Sequence, residues 1–173
     1  MEDAQPYELQ DEDVSPEALL IAALMRTRDM RRVENIARKL TAADFYNTSC
    51  AAIFATMRDQ IAQGRPCDAA SIRSALRAQG EQSGIQLADV DPLITTLIGL
   101  NATDFLLESY ASEVASLSYR RQFMRMADRL AQIAATASED DLYDLLIKEG
   151  KAQRKTWDRY RELHAQPQEK GGQ

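Results

Sequence analysis

At 173 residues with 45% hydrophobic side chains, the chain is long enough for one domain with a real core, and its composition, rich in Ala, Leu and Arg, favours helices. The formal net charge of −6 is uneven: residues 1–17 hold seven acids (Glu2, Asp3, Glu8, Asp11, Glu12, Asp13 and Glu17) and no Lys or Arg, so the rest carries 21 basic against 20 acidic residues. Such a body lacks the net field for tight sequence-independent binding to duplex DNA. No run reaches the roughly 20 apolar residues of a membrane span, and the acidic start does not read as a signal peptide, so a cytoplasmic protein is expected.

The leader, residues 1–14, is too polar and too uniformly charged to bury itself and is expected to be disordered; a strand that mimics DNA or caps a basic patch is the alternative. Ser15-Pro16 opens the ordered part as an N-cap followed by Pro at the first helical position, and a helix runs on through Leu20, Ala23 and Leu24. After Asp29, the apolar residues Met30, Val33, Ile36 and Leu40 recur at three- and four-residue steps, which predicts a second, amphipathic helix. Its charged residues Arg31, Arg32, Arg38 and Lys39 are expected to face water.

Thr41-Ala-Ala-Asp44 has the spacing of a capping box and precedes Phe45-Tyr46, a signal for a helix start or a tight turn. From about Cys50, Ile53, Phe54, Met57 and Ile61 repeat at helical spacing up to Gly64. Phe45, Tyr46, Ile53 and Phe54 are the bulkiest apolar side chains of this stretch and the candidate core. Asp68 caps a further helix whose inner face is Ile72, Ala75 and Leu76 and which Gly80 ends. Residues 81–90 read as a loop, and Asp91-Pro92 as the start of a short apolar helix, Leu93 to Ile98, closed by Gly99.

From Asp104 to about Ala137 there is neither Pro nor Gly, and Leu107, Tyr110, Val114 and Leu117 keep helical steps, which predicts one long helix of about 50 Å. Ser138-Glu-Asp-Asp141 restarts the chain as another helix through Leu142, Leu146, Trp157 and Tyr160. So short a link implies an antiparallel hairpin. Gly150 within it marks a bend or a close contact, and the tail 165–173 is expected to be disordered. The fold class is therefore all-α: a compact helical bundle, residues 15–103, followed by a long antiparallel helical hairpin, residues 104–164.

The chemistry of an enzyme is missing from this pattern. The sequence has no Gly-rich phosphate loop, no Gly-x-Gly-x-x-Gly, no His-Glu-x-x-His and no Gly-x-Ser-x-Gly. Glu139, Asp140 and Asp141 sit in a helical first turn, where the helix dipole favours acids. His164 stands next to a polar tail, without an orienting partner. Cys50 and Cys67 read as reduced structural thiols, and with one distant histidine they form no metal site. No catalytic residue, cofactor or metal is expected.

Several segments fall in a recognisable order: Pro16-Glu17-Ala18, Asp44-Phe45-Tyr46, Ile53-Phe54, Gly64-Arg-Pro66-Cys-Asp68, Leu76-Arg-Ala-Gln-Gly80, then Tyr110-Ala111 with Val114, and Arg120-Arg121. Together they resemble the N-terminal, non-motor domain of the DnaB-type bacterial replicative helicases, over about Pro16 to Leu146. Ser83-Gly84 stands where that family commonly has a Gly-Gly turn, and Ala115-Ser116 where it tends to have a basic residue. The resemblance implies a non-catalytic interaction module of DNA replication that pairs through its hairpin, helps build a helicase collar and offers a docking surface to the C-terminal domain of a primase or to a full-length helicase. Leu107, Tyr110, Val114, Leu117, Leu142, Leu146 and Trp157 are the candidate hairpin interface. Two alternatives stand beside this reading: a stand-alone regulator or loader of a full-length helicase, and a helical nucleic-acid-binding regulator using the Arg26–Lys39 or Lys148–Arg161 series.

Overall fold

The computed structural model describes residues 15–164; the expected disorder of the leader (1–14) and the tail (165–173) lies outside the described residues. Among these the chain forms seven α-helices and no strand. Helix α1, Pro16–Arg26, starts where Ser15 Oγ accepts a hydrogen bond from the Glu17 amide at 3.3 Å, with Pro16 in the position that needs no donor. Its residues Leu20 to Leu24 are all at most 2% exposed. A helix apolar on every side belongs at the centre, and α3, α5 and α6 pack around it.

Helix α2, Met30–Lys39, is capped by Asp29 and buries only Val33, Ile36 and Ala37, as its amphipathic pattern predicts. The Thr41–Asp44 box closes a single 3-10 turn, Ala42–Asp44, rather than a long helix: Asp44 Oδ2 accepts from the Thr41 amide at 2.8 Å and from its hydroxyl at 2.9 Å. Helix α3, Thr48–Ala62, begins two residues before Cys50 because Asn47 caps it, accepting from the Cys50 amide at 2.9 Å. Helix α4, Ala69–Gln79, is capped by Asp68, whose carboxylate lies below its usual pKa because the Ser71 hydroxyl and amide donate to it. Gly80 at φ 56° stops it, a left-handed value that a side chain would resist.

The segment read as a loop before Asp91 is partly helical. A 3-10 turn, Gly80–Ser83, leads into α5, Leu87–Gly99, which starts at Gln86 and places Pro92 inside the helix. Asp91 is no cap here. Its carboxylate bridges to Arg73 (3.3 Å) and to Arg77 of α4, and these ion pairs join the two helices side by side. Pro92 removes one amide donor from the α5 ladder, while burial of Val90, Ile94 and Leu97 on the same helix favours continuity across it.

After a 3-10 turn, Asp104–Leu106, helix α6, Leu107–Thr136, runs 30 residues, about 45 Å. Helix α7, Glu139–His164, returns along it after Ala137-Ser138, and α6 against α7 is the most extensive contact in the molecule. Gly150 is passed without a break in α7, and a Cβ built there would meet nothing within 4 Å, so it marks no close contact.

The hairpin does not separate from the body at residue 104. Leu107, Ala111 and Val114 are fully buried, with Tyr110 and Ala115 nearly so, in the same core as α1. The first turns of α6 are thus a wall of the body, and contacts with the body run on to Arg121 and Gln122 before the rest projects. At the other end α7 comes back to the body, where Leu163 packs on the core and Lys39 of α2 donates to the Glu162 carbonyl at 3.1 Å.

Candidate interaction surface

A buried polar junction fixes the hairpin to the body. Glu17, 4% exposed, accepts from the amides of Tyr46 (2.7 Å) and Asn47 (2.9 Å) and faces Arg121 at 3.5 Å. Asp44, equally buried, accepts from the Ser118 hydroxyl at 2.7 Å and from Gln122 at 3.3 Å, with Arg159 at 3.4 Å. Arg121 also donates to the Asp44 carbonyl at 2.5 Å, and the Gln122 amide oxygen accepts from the Thr156 hydroxyl of α7 at 2.7 Å. Two buried carboxylates therefore meet two guanidinium groups and a set of neutral donors, the condition under which burying charge is tolerable. The junction ties α1, the 3-10 turn, α6 and α7 together at the hairpin's base.

Beside the junction, on another flank of the hairpin, lies a run of aromatic rings. Tyr119 stands 6.4 Å from Phe123, 5.5 Å from Trp157 and 5.2 Å from Tyr160; Trp157 and Tyr160 stack at 5.3 Å, and Tyr160 meets His164 at 4.0 Å. Phe123 (49%), Met124 (62%) and Trp157 (37%) remain exposed. With Ser116, Tyr119, Arg120 and Tyr160 they line a cleft of about 440 Å³.

The same flank continues toward the hairpin tip. On α7, Tyr143, Leu146, Gly150 and Trp157 recur at helical steps, and Tyr143 and Leu146 are 70% and 49% exposed. On α6 the matching positions beyond Phe123 are Ala127 and Ala134, both exposed. Charge is divided along the hairpin. Residues 114–127 and 150–161, its base half, hold eight Lys and Arg against one acid, Asp158, whereas the tip half, 128–149, holds six acids against two bases. The balanced total of the body hides this polarity.

The seven residues expected to form the hairpin interface do not lie together. Leu107, Tyr110 and Val114 are used up inside the core, because the start of α6 covers α1. Leu142 is half-buried, and of the seven only Leu117, Leu146 and Trp157 are exposed. Phe45, Ile53 and Phe54 are buried, with the Phe45 and Phe54 rings 4.7 Å apart. Tyr46 is not a core residue: it is 76% exposed. Phe45 is extended, so successive side chains alternate and Tyr46 points away; its ring lies under the Arg121 guanidinium, 5.8 Å from the centroid. Sequence reasoning missed Phe123, Met124 and Tyr143, although Tyr119-Phe123 and Trp157-Tyr160-His164 were already visible at helical spacing.

Cys50 and Cys67 are buried free thiols. Burial pushes Cys50 up to about 12 and Cys67 up to about 11, which keeps both protonated and unreactive. At the surface, the Arg32–Glu108 pair at 2.5 Å holds the Glu108 carboxyl below its usual range. Among the described residues no single helix is long and apolar enough to cross a membrane.

The described residues form an all-α body that carries a long hairpin clamped by a polar junction. Residues 9–116 match the family described as DnaB-like helicase N terminal domain, and the chain belongs to that family. It is a helicase-associated domain. No curated protein matches the sequence. Among solved structures the chain is similar to the crystal structure of the N-terminal domain of DnaB helicase from Mycobacterium tuberculosis, at 21% identity and a TM-score of 0.61, covering 84% of this chain and 96% of that one. At that identity the likeness speaks for the fold.

Proposed function

We propose that this domain acts by protein contact, associating with further copies of itself through the exposed flank of the hairpin and so serving the assembly of a helicase collar. The observation that carries this reading is the apolar side chains of Phe123, Met124, Leu146 and Trp157, which the described residues leave exposed. Exposed apolar side chains on one flank of a helical hairpin are a usual mark of a protein–protein site. The charge division supports the same partner, since the acidic tip of one copy complements the basic base of another when two hairpins lie head to tail. Docking of a primase C-terminal domain or of a full-length helicase belongs to the same reading, on surfaces left free by that pairing.

The sequence carries no phosphate-binding loop for a nucleoside triphosphate, and the role proposed here needs none. Sedimentation of the intact protein against a Leu146→Glu variant tests self-association. A mixing experiment with a full-length helicase separates collar building from regulation, because a regulator lowers the helicase's unwinding rate or hexamer content and a building block leaves both unchanged.

A further inference from the structure

We propose that two copies of this chain pair antiparallel about a twofold axis through Gly150, so that Tyr143 of each copy seats in the aromatic cleft of the other. The proposal rests on the self-association reading and specifies its register. It follows from a mirrored order along α7. Glu139, Tyr143, Leu146, Gly150, Trp157 and Arg161 succeed one another at steps of three, four or seven residues, which share one helical face, and all six are exposed. Tyr143 and Trp157 each stand seven residues from Gly150, and Glu139 and Arg161 each stand eleven from it.

When two such helices run antiparallel with Gly150 opposite its own counterpart, each position faces the one equally far on the other side of the glycine. Tyr143 then meets Trp157 and Glu139 meets Arg161, and each contact is made twice, as a twofold interface requires. Seven residues are about 10 Å of helix, so the two aromatic contacts lie about 20 Å apart.

The glycine itself supports this axis. Within an exposed helix Gly is unfavourable relative to Ala, and a Cβ at Gly150 would meet nothing within 4 Å in its own chain. At the crossing of two helices the missing side chain lets their axes approach. On α6, Arg129 reaches Glu149 at 2.7 Å, so the exposed Ala127 stands near the level of Gly150 and leaves the same crossing open.

The chemistry at the cleft agrees. Tyr143 is the most exposed aromatic residue of the hairpin, and the cleft beside Trp157, lined by Tyr119, Phe123 and Tyr160, offers an incoming ring edge and offset contacts. Glu139, one turn before Tyr143, comes opposite Arg161, with Arg120 lining the cleft. A parallel pairing would instead set the acidic tips on each other and the basic bases on each other.

The test is sedimentation of the full chain as wild type, Arg161→Glu, Glu139→Arg, an equimolar mixture of those two variants, and Gly150→Leu. In this register each charge variant opposes like charges at both ends of its own dimer, whereas the mixture forms a pair with opposite charges at both. Each charge variant is expected to associate about tenfold more weakly than wild type, and the mixture to recover to within about threefold of it. Gly150→Leu is expected to lose association by at least about tenfold while its melting temperature does not fall, because the added side chain meets nothing in its own chain. A wild type that associates, with a mixture no tighter than either variant alone or a Gly150→Leu protein that pairs as well as wild type, overturns the register and leaves the self-association reading standing. A wild type that stays monomeric overturns both.

Discussion

The hydroxyl of Ser118 donates a 2.7 Å hydrogen bond to the Asp44 carboxylate, joining α6 to a turn 74 residues earlier. Around this contact Thr41, Gln122 and Arg159 direct further donors at the same carboxylate, so a single buried acid orients the hairpin on the body. Removing it strands several donors at once. Asp44→Ala is expected to lower stability by about 3–5 kcal/mol, and Ser118→Ala by about 1–2 kcal/mol. Denaturant unfolding of the two variants checks the order; an Asp44→Ala protein as stable as wild type contradicts the junction's role.

The aromatic core is tested by contrast between neighbours. Phe54 is fully buried against Phe45, and Tyr46 lies on the surface. Phe54→Ala is expected to cost about 3–5 kcal/mol, enough to threaten a marginal domain. Tyr46→Ala should cost less than about 1 kcal/mol, since it gives up only an exposed cation–π contact. Thermal melts that place the two variants together count against this division.

The thiols predict a pH dependence. Their folded pKa values, about 12 for Cys50 and about 11 for Cys67, lie above the roughly 8.5 of an unfolded thiol. A group raised on folding contributes stability that is complete below its unfolded pKa and is lost as pH rises toward the folded one. Stability should therefore decline from about pH 8.5 to pH 11, and less so in the Cys50→Ala, Cys67→Ala double variant measured against its own value at pH 7. Native protein at pH 8 should resist a thiol reagent and react only on unfolding.

Much of this fold is legible in the chain because caps and periodicity act locally. Ser15-Pro16, Asp29, Asp68 and Ser138 all mark helix starts, and the uninterrupted run after Asp104 gives the long helix. Asp91-Pro92 misleads for a reason outside the local sequence: Asp91 is engaged by Arg73 and Arg77 of another helix. The interface residues were harder still. Periodicity tells that Val114 is buried, not whether its own body or a neighbour buries it, and here α1 does. The polar junction was only partly legible: Glu17, Asp44 and Arg121 stand in the segments that carry the family resemblance, but their meeting with Ser118 and Thr156 comes only with the fold.

The exposed flank and the core-facing side of α6 should respond oppositely to the same change. Phe123→Glu places a charge on a surface and is expected to leave the melting temperature within about 2 °C of wild type while weakening association. Val114→Glu buries an unpaired charge and is expected to unfold the domain. Two variants with the same loss of stability speak against a free flank.

Self-association through the hairpin is tested most directly by sedimentation velocity at tens of micromolar, with wild type beside a Phe123→Glu, Leu146→Glu double variant of unchanged circular dichroism. Self-association predicts a dimer or larger species for the wild type and a monomer for the variant. A wild type that sediments only as monomer, or a variant that associates equally well, contradicts it.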